Sequence, residues 1–334
     1  MPAIKVAITD YRYDDLRIET ELLAAAGIEL IAGSCKTEED VIRLAQHADG
    51  IIVNYAPITA AVIGALERCR IISRNGVGIN NVDVEAASAR GIYVANVPDY
   101  GVEEVSNHAF AMVLHYARKI TGYDAAIRSG VWDYKACCPL RRLSAQTLGL
   151  LGFGRIPRRL AEKAAAFRFN VLVYDPYVSE DDIRAYGARP ATCDEICRLA
   201  DYISVHVPLA AETRLLINAE RLRTMKPNAV IVNTSRGAII DEAALADALR
   251  GGRIGGAALD VLENEPIAAG HPLLGLDNVV LTPHCAWYSE EAMIELRTKA
   301  AQNTADVLTG KHSPYIVNRS AANGSAKKGA TEGA

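Results

Sequence analysis

Short apolar runs alternate with amphipathic stretches along nearly the whole chain. In the first hundred residues five such runs predict strands: IKVAIT (4–9), IELIAG (28–33), GIIVNY (50–55), RIISRN (70–75) and IYVANV (92–97). Stretches with helical spacing, residues 13–27 and 38–48, lie between the first three runs. Strands that alternate with helices predict a parallel sheet.

A long helix and an irregular bridge lead into a second alternating region. Residues 97–120 begin with polar residues and then keep apolar spacing over more than three turns, which predicts a helix. Residues 121–146 show no clear period, and we interpret them as a bridge. Continuous apolar runs, typical of parallel strands covered on both faces, follow at 147–151, 170–175, 202–207, 229–234, 255–261 and 278–283. A final helix is predicted at 290–310.

Composition excludes several classes of protein. The chain has 334 residues, half of them hydrophobic, which predicts about two domains with sizeable cores. The net charge of −4 gives no sign of a nucleic-acid partner, and no apolar run is long enough for a membrane span. The first residues resemble a strand rather than a secretory signal, so we expect a soluble, cytoplasmic protein. The seven cysteines lack zinc-site spacing, which predicts reduced thiols and no metal.

A glycine-rich turn opens the second region. Gly152 and Gly154 stand between a predicted strand and a predicted helix, where backbone N–H groups can face a pyrophosphate. The next strand ends at Asp175, 175 − 154 = 21 residues later, which is where a carboxylate would bind the ribose of NAD and repel the extra phosphate of NADP. Pro157 occupies the third glycine position, and we expect it to displace the helix slightly. The alternative is an ordinary strand-to-helix turn.

Three later strand ends carry reactive side chains. Arg236, Glu265 and His284 each follow a predicted strand, and carboxyl ends of parallel strands share one edge of a sheet. Alone, each has an ordinary role: Arg236 could pair with Asp241, Glu265 could be solvated, and His284 could be structural. Together they suit reduction of a 2-keto acid, with a guanidinium for the carboxylate and a carboxylate-supported imidazole for the proton. Nucleophilic chemistry by Cys285 is disfavoured, because neighbours on an extended segment face opposite sides.

Two long segments carry a family resemblance. Residues 233–266 (NTSRGAIIDEAALADALRGGRIGGAALDVLENEP) and 281–292 (LTPHCAWYSEEA) resemble the D-isomer-specific 2-hydroxyacid dehydrogenases. YDPYVS and TPHCAWYS are similar to the branch that contains the C-terminal-binding proteins, transcriptional corepressors with a dehydrogenase fold. The resemblance covers the chain up to about residue 318.

The resemblance implies an α/β fold with two domains. Residues 101–286 would form a Rossmann-type doubly wound parallel-sheet domain that binds NAD and carries a linking helix and a dimerisation bridge. Residues 1–100 with 287–318 would form a smaller flavodoxin-like α/β substrate (catalytic) domain, and the active site would lie between the two. The family is generally homodimeric. The polar tail, residues 319–334, is expected to be disordered.

The resemblance also implies residue roles. His284 would donate the proton, Glu265 would support it, and Arg236 would bind the substrate carboxylate. The residues implied at the cofactor are Gly152, Gly154, Arg155, Ile156, Asp175, Val207, Pro208, Thr213, Thr234 and Asp260. Those implied at the small-molecule 2-keto or 2-hydroxy acid are Tyr55, Arg74, Val77, Gly78 and Trp287.

Two functions from different classes remain open. The first is an NAD-dependent D-2-hydroxyacid dehydrogenase, acting mainly as a 2-keto acid reductase. The alternative is an NADH-sensing binding scaffold that resembles the C-terminal-binding corepressors. The same machinery could also act on an unusual substrate, such as phosphite or a sugar acid. The short tail after PYIVN leads us to expect no appended regulatory domain of the phosphoglycerate dehydrogenase kind.

Overall fold

The computed structural model describes residues 3–319. They divide into two compact units: the first takes in the described residues up to Tyr100 and those from Ser289 onward, and the second spans Gly101–Tyr288. The predicted disordered tail, apart from Arg319, lies outside the described residues.

Every sheet strand in this part of the chain is parallel to its neighbours. The strands are β1 (Ile4–Ile8), β2 (Ile28–Ala32), β3 (Gly50–Val53), β4 (Ile71–Arg74), β5 (Tyr93–Ala95), β6 (Thr147–Leu151), β7 (Asn170–Tyr174), β8 (Arg189–Pro190), β9 (Tyr202–Val205), β10 (Val230–Asn233), β11 (Gly256–Leu259) and β12 (Val279–Leu281). The α-helices are α1 (Arg17–Ala25), α2 (Glu38–Ala45), α3 (Ala60–Ala65), α4 (Val84–Ala89), α5 (Val102–Arg118), α6 (Ile120–Arg128), α7 (Arg155–Ala166), α8 (Glu180–Ala185), α9 (Cys193–Leu199), α10 (Ala219–Thr224), α11 (Glu242–Arg250) and α12 (Glu290–Leu308). None of the helices within residues 3–319 has the length and apolar character that crossing a bilayer requires.

The first unit contains a five-stranded sheet in the order β2-β1-β3-β4-β5. This is the flavodoxin-like order of a doubly wound sheet. Each strand lies within one of the five runs that the sequence pattern predicts. The core consists of side chains from these runs and from the helices that cover them, for example Ile51, Ile72 and Val94, all almost fully buried.

The helix α12 completes the first unit although it lies some 190 residues after β5 along the chain. Its Arg297 is buried and forms two 2.7 Å contacts with the buried carboxylate of Glu19 on α1. Ser73 on β4 donates a hydrogen bond to the carbonyl of Ala300. The sheet at Gly50 lies so close to α12 that an added Cβ would meet the helix at 3.2 Å.

The second unit contains a seven-stranded sheet in the order β12-β11-β10-β9-β6-β7-β8. Numbered from β6, its first six strands follow the Rossmann order, and β12 extends the sheet by one strand. The strand order reverses between β6 and β9, where doubly wound sheets bind ligands. The predicted fold class, a Rossmann-type domain with a smaller α/β domain, is confirmed.

Two elements differ from the sequence pattern. The bridge predicted as irregular begins with the helix α6, which follows α5 after a single left-handed residue, Lys119 (φ 48°). No residue of α6 is buried, so its apolar residues do not show the spacing that packing imposes. The strand β8 has only two residues and includes Pro190, and it is too short to leave a pattern.

Candidate active site

Three neighbouring strands of the second unit end at the same level. Asn233 of β10 pairs with Leu259 of β11, and Leu259 pairs with Leu281 of β12. The segments carrying Arg236, Glu265 and His284 therefore leave one edge of the sheet together. The last two strands are slightly shorter than predicted, because the chain turns away before Val261 and Thr282.

His284 and Glu265 form a direct pair. The Nδ1 atom of His284 lies 2.7 Å from Oε2 of Glu265, and about a third of each side chain is exposed. The other carboxylate oxygen accepts the N–H of Leu262 at 3.0 Å. Burial alone would raise the pKa of Glu265, but the hydrogen bonds from His284 and Leu262 and the charges of His284 and Arg236 lower it below its ordinary value. An ionised Glu265 can only accept, so the proton of this contact lies on Nδ1, and Nε2 of His284 is left for a reacting group.

The backbone of His284 is held in an uncommon conformation. Its φ of 53° is in the left-handed region, which costs on the order of 1–3 kcal/mol for a residue other than glycine. Its N–H donates to the carbonyls of Asp260 and Thr282 at 2.9 and 3.0 Å. Its own carbonyl accepts the indole N–H of Trp287 at 3.0 Å. The neighbouring segments therefore determine where the imidazole lies.

The carboxylate of Asp260 organises the loop around His284. It is almost fully buried and accepts hydrogen bonds from the Thr282 hydroxyl (2.5 Å) and from the N–H groups of Cys285 and Ala286 (2.9 Å each). These partners lie on both sides of His284 in the sequence. Asp260, which the resemblance places at the cofactor, thus also fixes the loop that carries the histidine.

Arg236 has no carboxylate partner among the residues that the structure describes. Asp241, the partner that the sequence allows, caps α11 by accepting the N–H of Ala244 at 3.0 Å. Arg236 donates to the neighbouring Ser235 carbonyl at 2.6 Å. Its side chain is partly exposed, so the guanidinium retains donors for an anion.

The glycine turn lies at the switch point of the sheet. Gly152 has φ 96°, and an added Cβ would lie 2.9 Å from the backbone of His206 after β9. Gly154 caps α7 and has open space around it. Pro157 is the third residue of α7, within the first turn that tolerates proline, and it is buried. A side chain at Gly152 would meet the backbone after β9, whereas the space beside Gly154 at the helix N-terminus is open.

The carboxylate of Asp175 accepts hydrogen bonds from two backbone N–H groups, one of them in the glycine turn. One of its oxygens accepts the N–H of Phe153 at 2.7 Å and the other accepts that of Tyr177 at 2.9 Å. The hydroxyl of Thr234, after β10, is buried and has no hydrogen-bond partner within residues 3–319. A buried hydroxyl without a hydrogen-bond partner costs free energy. A polar ligand that binds beside Thr234 would supply the partner.

The loop after β9 is internally bonded. The hydroxyl of Thr213 donates to the carbonyl of Pro208 at 2.5 Å and accepts the N–H of Ala210 at 2.8 Å. Val207 is buried, and its carbonyl accepts the hydroxyl of Ser235 at 2.6 Å. Thr213 therefore shapes this loop, and the loop is joined to the turn that carries Thr234 and Arg236.

The substrate residues predicted in the first unit follow β3 and β4. Tyr55 and Val77 are exposed, and the guanidinium carbon of Arg74 lies 5.8 Å from the Tyr55 ring centre. Sequence reasoning missed two residues here. Asp10 accepts the N–H groups of residues 54–56, and the guanidinium of Arg12 lies 4.7 Å over the Tyr55 ring. A polar residue directly after the β1 run was the only signal available.

Two further side chains, His108 and Cys285, lie near the histidine, and neither is predicted from the sequence to be catalytic. His108 on α5 lies 3.1 Å from the Thr282 hydroxyl, and a ligand atom of His108, one of Asp260 and one of Cys285 lie within 4.8 Å of one another. Such a trio could hold a metal in principle, but Asp260 already accepts three hydrogen bonds. Burial and the nearby Asp260 carboxylate raise the pKa of the Cys285 thiol, which disfavours a thiolate nucleophile.

Comparison with known proteins identifies the family of the chain. The model of the D-isomer specific 2-hydroxyacid dehydrogenase NAD binding domain matches residues 110–286, more than half of the chain. The chain belongs to the D-isomer-specific 2-hydroxyacid dehydrogenase family.

Individual members of this family agree with the assignment. A D-3-phosphoglycerate dehydrogenase of Methanocaldococcus jannaschii is 38% identical over 94% of this chain, which spans only 59% of that protein. A glyoxylate reductase of Korarchaeum cryptofilum is 39% identical over 79% of this chain and 80% of its own length. The structure of D-lactate dehydrogenase from Aquifex aeolicus, complexed with NAD and lactic acid, superposes with a TM-score of 0.84 at 28% identity, covering 94% of this chain and 99% of that one.

Family membership makes the second unit an NAD-binding domain. The residues present fit the cofactor on three observations: the tight glycine turn with open space at Gly154, the carboxylate of Asp175 at the end of the next strand, and the buried hydroxyl of Thr234, which has no hydrogen-bond partner among the described residues. They come from the two sides of the switch point, where a dinucleotide lies in this kind of dehydrogenase fold.

Proposed function

We propose that this protein catalyses NAD-dependent hydride transfer between 2-keto and D-2-hydroxy acids, working mainly as a reductase. The observation that carries the proposal is the 2.7 Å contact between His284 and Glu265, with Arg236 nearby and, in the described part of the chain, not paired with a carboxylate. A protein that only binds NADH has no need of an imidazole supported by a carboxylate. NAD(H), when bound, supplies or accepts the hydride.

Arg236 is proposed to bind the carboxylate of the keto acid. A planar guanidinium can donate two parallel hydrogen bonds to a carboxylate and so fix the orientation of the adjacent carbonyl. The charge of the guanidinium also favours negative charge that develops on the carbonyl oxygen. In the first unit, the N–H groups of Val77 and Gly78, with Arg74, are proposed to contribute to the same recognition.

His284 is proposed to donate the proton that the carbonyl oxygen takes up during reduction. With Nδ1 bonded to Glu265, Nε2 is the donor, and in the oxidation direction the same atom accepts the hydroxyl proton. Glu265 orients the ring and stabilises its protonated form. One proton is taken up per keto acid reduced, and general acid help of this kind is typically worth about 10²- to 10⁴-fold.

The cofactor contacts are proposed from the same unit. Gly152, Gly154, Arg155 and Ile156 would bind the pyrophosphate, and Asp175 would bind the adenosine ribose and favour NAD over NADP. The remaining residues of this proposed set are Val207, Pro208, Thr213, Thr234 and Asp260.

The substrate side chain is proposed to contact Tyr55 and Trp287. The indole of Trp287 is oriented by its hydrogen bond to the His284 carbonyl, so it would be a rigid wall. A wall of that size suits a substrate with an apolar side chain.

The protein is proposed to work as a cytoplasmic homodimer. Ile120, Trp132 and Tyr134 in the bridge region are strongly exposed, Trp132 at 87%. Large exposed apolar side chains clustered in one segment indicate a surface that another chain covers. A second copy of this chain is the occupant that the family resemblance favours, and size-exclusion chromatography with light scattering tests it.

NADH oxidation against glyoxylate, hydroxypyruvate, pyruvate, phenylpyruvate and 2-ketoisocaproate tests the enzymatic proposal. Saturable turnover with one of them, lost in His284→Gln while NADH still binds, is the expected result. NADH binding without turnover across the panel would favour the alternative, an NADH-sensing scaffold similar to the C-terminal-binding corepressors.

A further inference from the structure

Glu242, the first residue of α11, has a carboxylate that the reaction scheme does not use. Its side chain is only 13% exposed. One oxygen accepts the N–H of Glu263 at 2.5 Å, and the other lies 3.3 Å from Nε2 of His271. Burying a carboxylate costs free energy unless the carboxylate is paired and hydrogen-bonded. Here the two contacts of Glu242 are with Glu263 and His271, which lie before and after Glu265 in the same segment.

The peptide between Leu262 and Glu263 is the point where two parts of the site meet. A Cβ added to Gly237 would lie 1.9 Å from the Leu262 carbonyl carbon and 2.1 Å from the Glu263 nitrogen, so the turn after Arg236 packs directly on this peptide. The N–H of Leu262, which belongs to the preceding peptide, donates to Glu265. Leu262 therefore joins the peptide that packs against the Arg236 turn to the hydrogen bond that holds Glu265.

Glu242 lies outside the turns that carry Arg236 and Glu265, and its buried carboxylate binds the peptide between Leu262 and Glu263. The other contact to Glu263 is an ion pair with Arg214 at 2.6 Å, whose side chains are 53% and 36% exposed. Exposed pairs of this kind contribute little to stability. The Glu242 carboxylate instead accepts the peptide N–H of Glu263 directly. A hydrogen bond to a charged acceptor is stronger than one between neutral groups.

We propose that Glu242 is a positioning residue for the reaction, which holds the Leu262–Glu263 peptide so that Glu265 meets His284 at a fixed distance from Arg236. The proposal rests on the proposed function. It assigns Glu242 no contact with substrate or cofactor.

The decisive comparison is Glu242→Ala with Glu242→Gln. Alanine removes the acceptor and should lower kcat for keto acid reduction by roughly 10- to 100-fold, since small misplacements of reacting groups have effects of that size. Glutamine keeps an acceptor for Glu263 and offers a donor to His271, so kcat should stay within about threefold, as one retained hydrogen bond allows. NADH affinity should be unchanged in both, because the glycine turn and Asp175 are untouched.

The pH profile separates positioning from general loss of structure. In Glu242→Ala, Glu265 should lose part of its bonding to His284 and Leu262, so the pKa of Glu265 should rise toward its ordinary value and the acid limb of kcat/KM should move to higher pH. The other charged or titratable groups around the pair, Arg236, Asp260, His108 and Cys285, are the same in all variants.

Glu220→Ala is the matched control. Glu220 lies in the first turn of α10, as Glu242 does in α11, but it is exposed and contacts no group of the site. His271→Asn removes only the second contact of Glu242 and should give a smaller effect than Glu242→Ala.

A readout that does not need turnover completes the test. Spectra of histidines labelled with ¹⁵N in the ring, with the His284 signal identified by His284→Gln, should show the Nδ1 hydrogen bond in the parent protein and Glu220→Ala, and its weakening in Glu242→Ala. If the Nδ1 hydrogen bond of His284 weakens in Glu242→Ala but the parent protein turns over no keto acid, the role of Glu242 in holding the His284–Glu265 pair is supported and the proposed function is rejected. Unchanged spectra and kcat in Glu242→Ala would overturn the positioning role. If the alanine variant does not fold, a Glu242→Gln or His271→Asn protein that loses NADH affinity and kcat together, with an unmoved acid limb, would overturn it as well.

Discussion

Replacing Glu265 by glutamine isolates the charge of the His284 partner. Glutamine has nearly the same shape, and its single oxygen can still accept the Nδ1–H of His284, which keeps the orientation of the ring. It removes the negative charge 2.7 Å from the ring nitrogen, and its NH2 group gives up the hydrogen bond from the Leu262 N–H. The protonated ring of the proposed donor therefore loses the stabilising charge of its partner in Glu265→Gln.

The geometry sets the size of the effect. A hydrogen bond that involves a charged group contributes about 1.5–3 kcal/mol. Because 32% of the His284 side chain and 37% of the Glu265 side chain are exposed, solvent screens the pair and the lower part of that range applies. The neutral hydrogen bond that glutamine keeps still contributes about 0.5–1.5 kcal/mol, so the net loss is about 1 kcal/mol, which corresponds to a roughly fivefold lower kcat/KM for reduction at neutral to alkaline pH.

The assay is kcat/KM for the best keto acid, measured from acid to alkaline pH in both proteins. The pKa of Glu265 is lowered in the folded protein, so the charge difference between the two proteins persists below the ordinary carboxyl range and is lost as pH falls through that lowered value. A deficit of the same size at every pH would show that Glu265 only orients the ring. Equal rates throughout would refute the assignment of this pair to proton transfer.

Three further substitutions test other parts of the molecule. Gly152→Ala should weaken NADH binding at least tenfold and lower the unfolding free energy by about 1–3 kcal/mol, since φ is 96° and the Cβ would meet the His206 backbone; fluorescence titration and urea unfolding measure both. Arg236→Lys should raise KM for the keto acid by roughly 10- to 100-fold with NADH affinity unchanged, because a bidentate contact becomes a point charge; steady-state kinetics with unchanged KM would count against carboxylate binding. Glu19→Gln should lower the unfolding free energy of the first unit by about 1.5–3 kcal/mol, because it removes the buried charge that pairs with Arg297 and leaves Asp15, at 3.5 Å, as its carboxylate contact; urea unfolding that matches the parent protein would contradict this.

The sheets were predictable because their strands are buried on both faces. Residues 229–232 (AVIV) are continuously apolar whatever surrounds them, so composition alone locates β10. The edge strand β8 and the exposed helix α6 escaped prediction for the opposite reason, because neither buries a face that would impose a pattern.

The site was predictable only to the level of the sheet edge. Parallel topology brings Arg236, Glu265 and His284 to one edge, and this follows from sequence. The left-handed backbone of His284 and the three hydrogen bonds to Asp260 depend on loop conformation, which the residue types alone do not determine. Trp287 shows the same limit: the sequence suggests a wall, and the structure adds a hydrogen bond from its ring to the His284 carbonyl.

The split of the first unit along the chain has a consequence for biosynthesis. Strands β1 to β5 leave the ribosome first, yet α12, which covers one face of their sheet, follows only after the whole of Gly101–Tyr288 has been made. At about 5–20 residues per second, this apolar face stays uncovered for roughly 10 to 40 seconds of translation. The second unit is continuous and can fold in that interval, so the part of the chain that is made first is the part that is finished last. A nascent chain of this protein is therefore a natural client for chaperones that shield apolar surfaces.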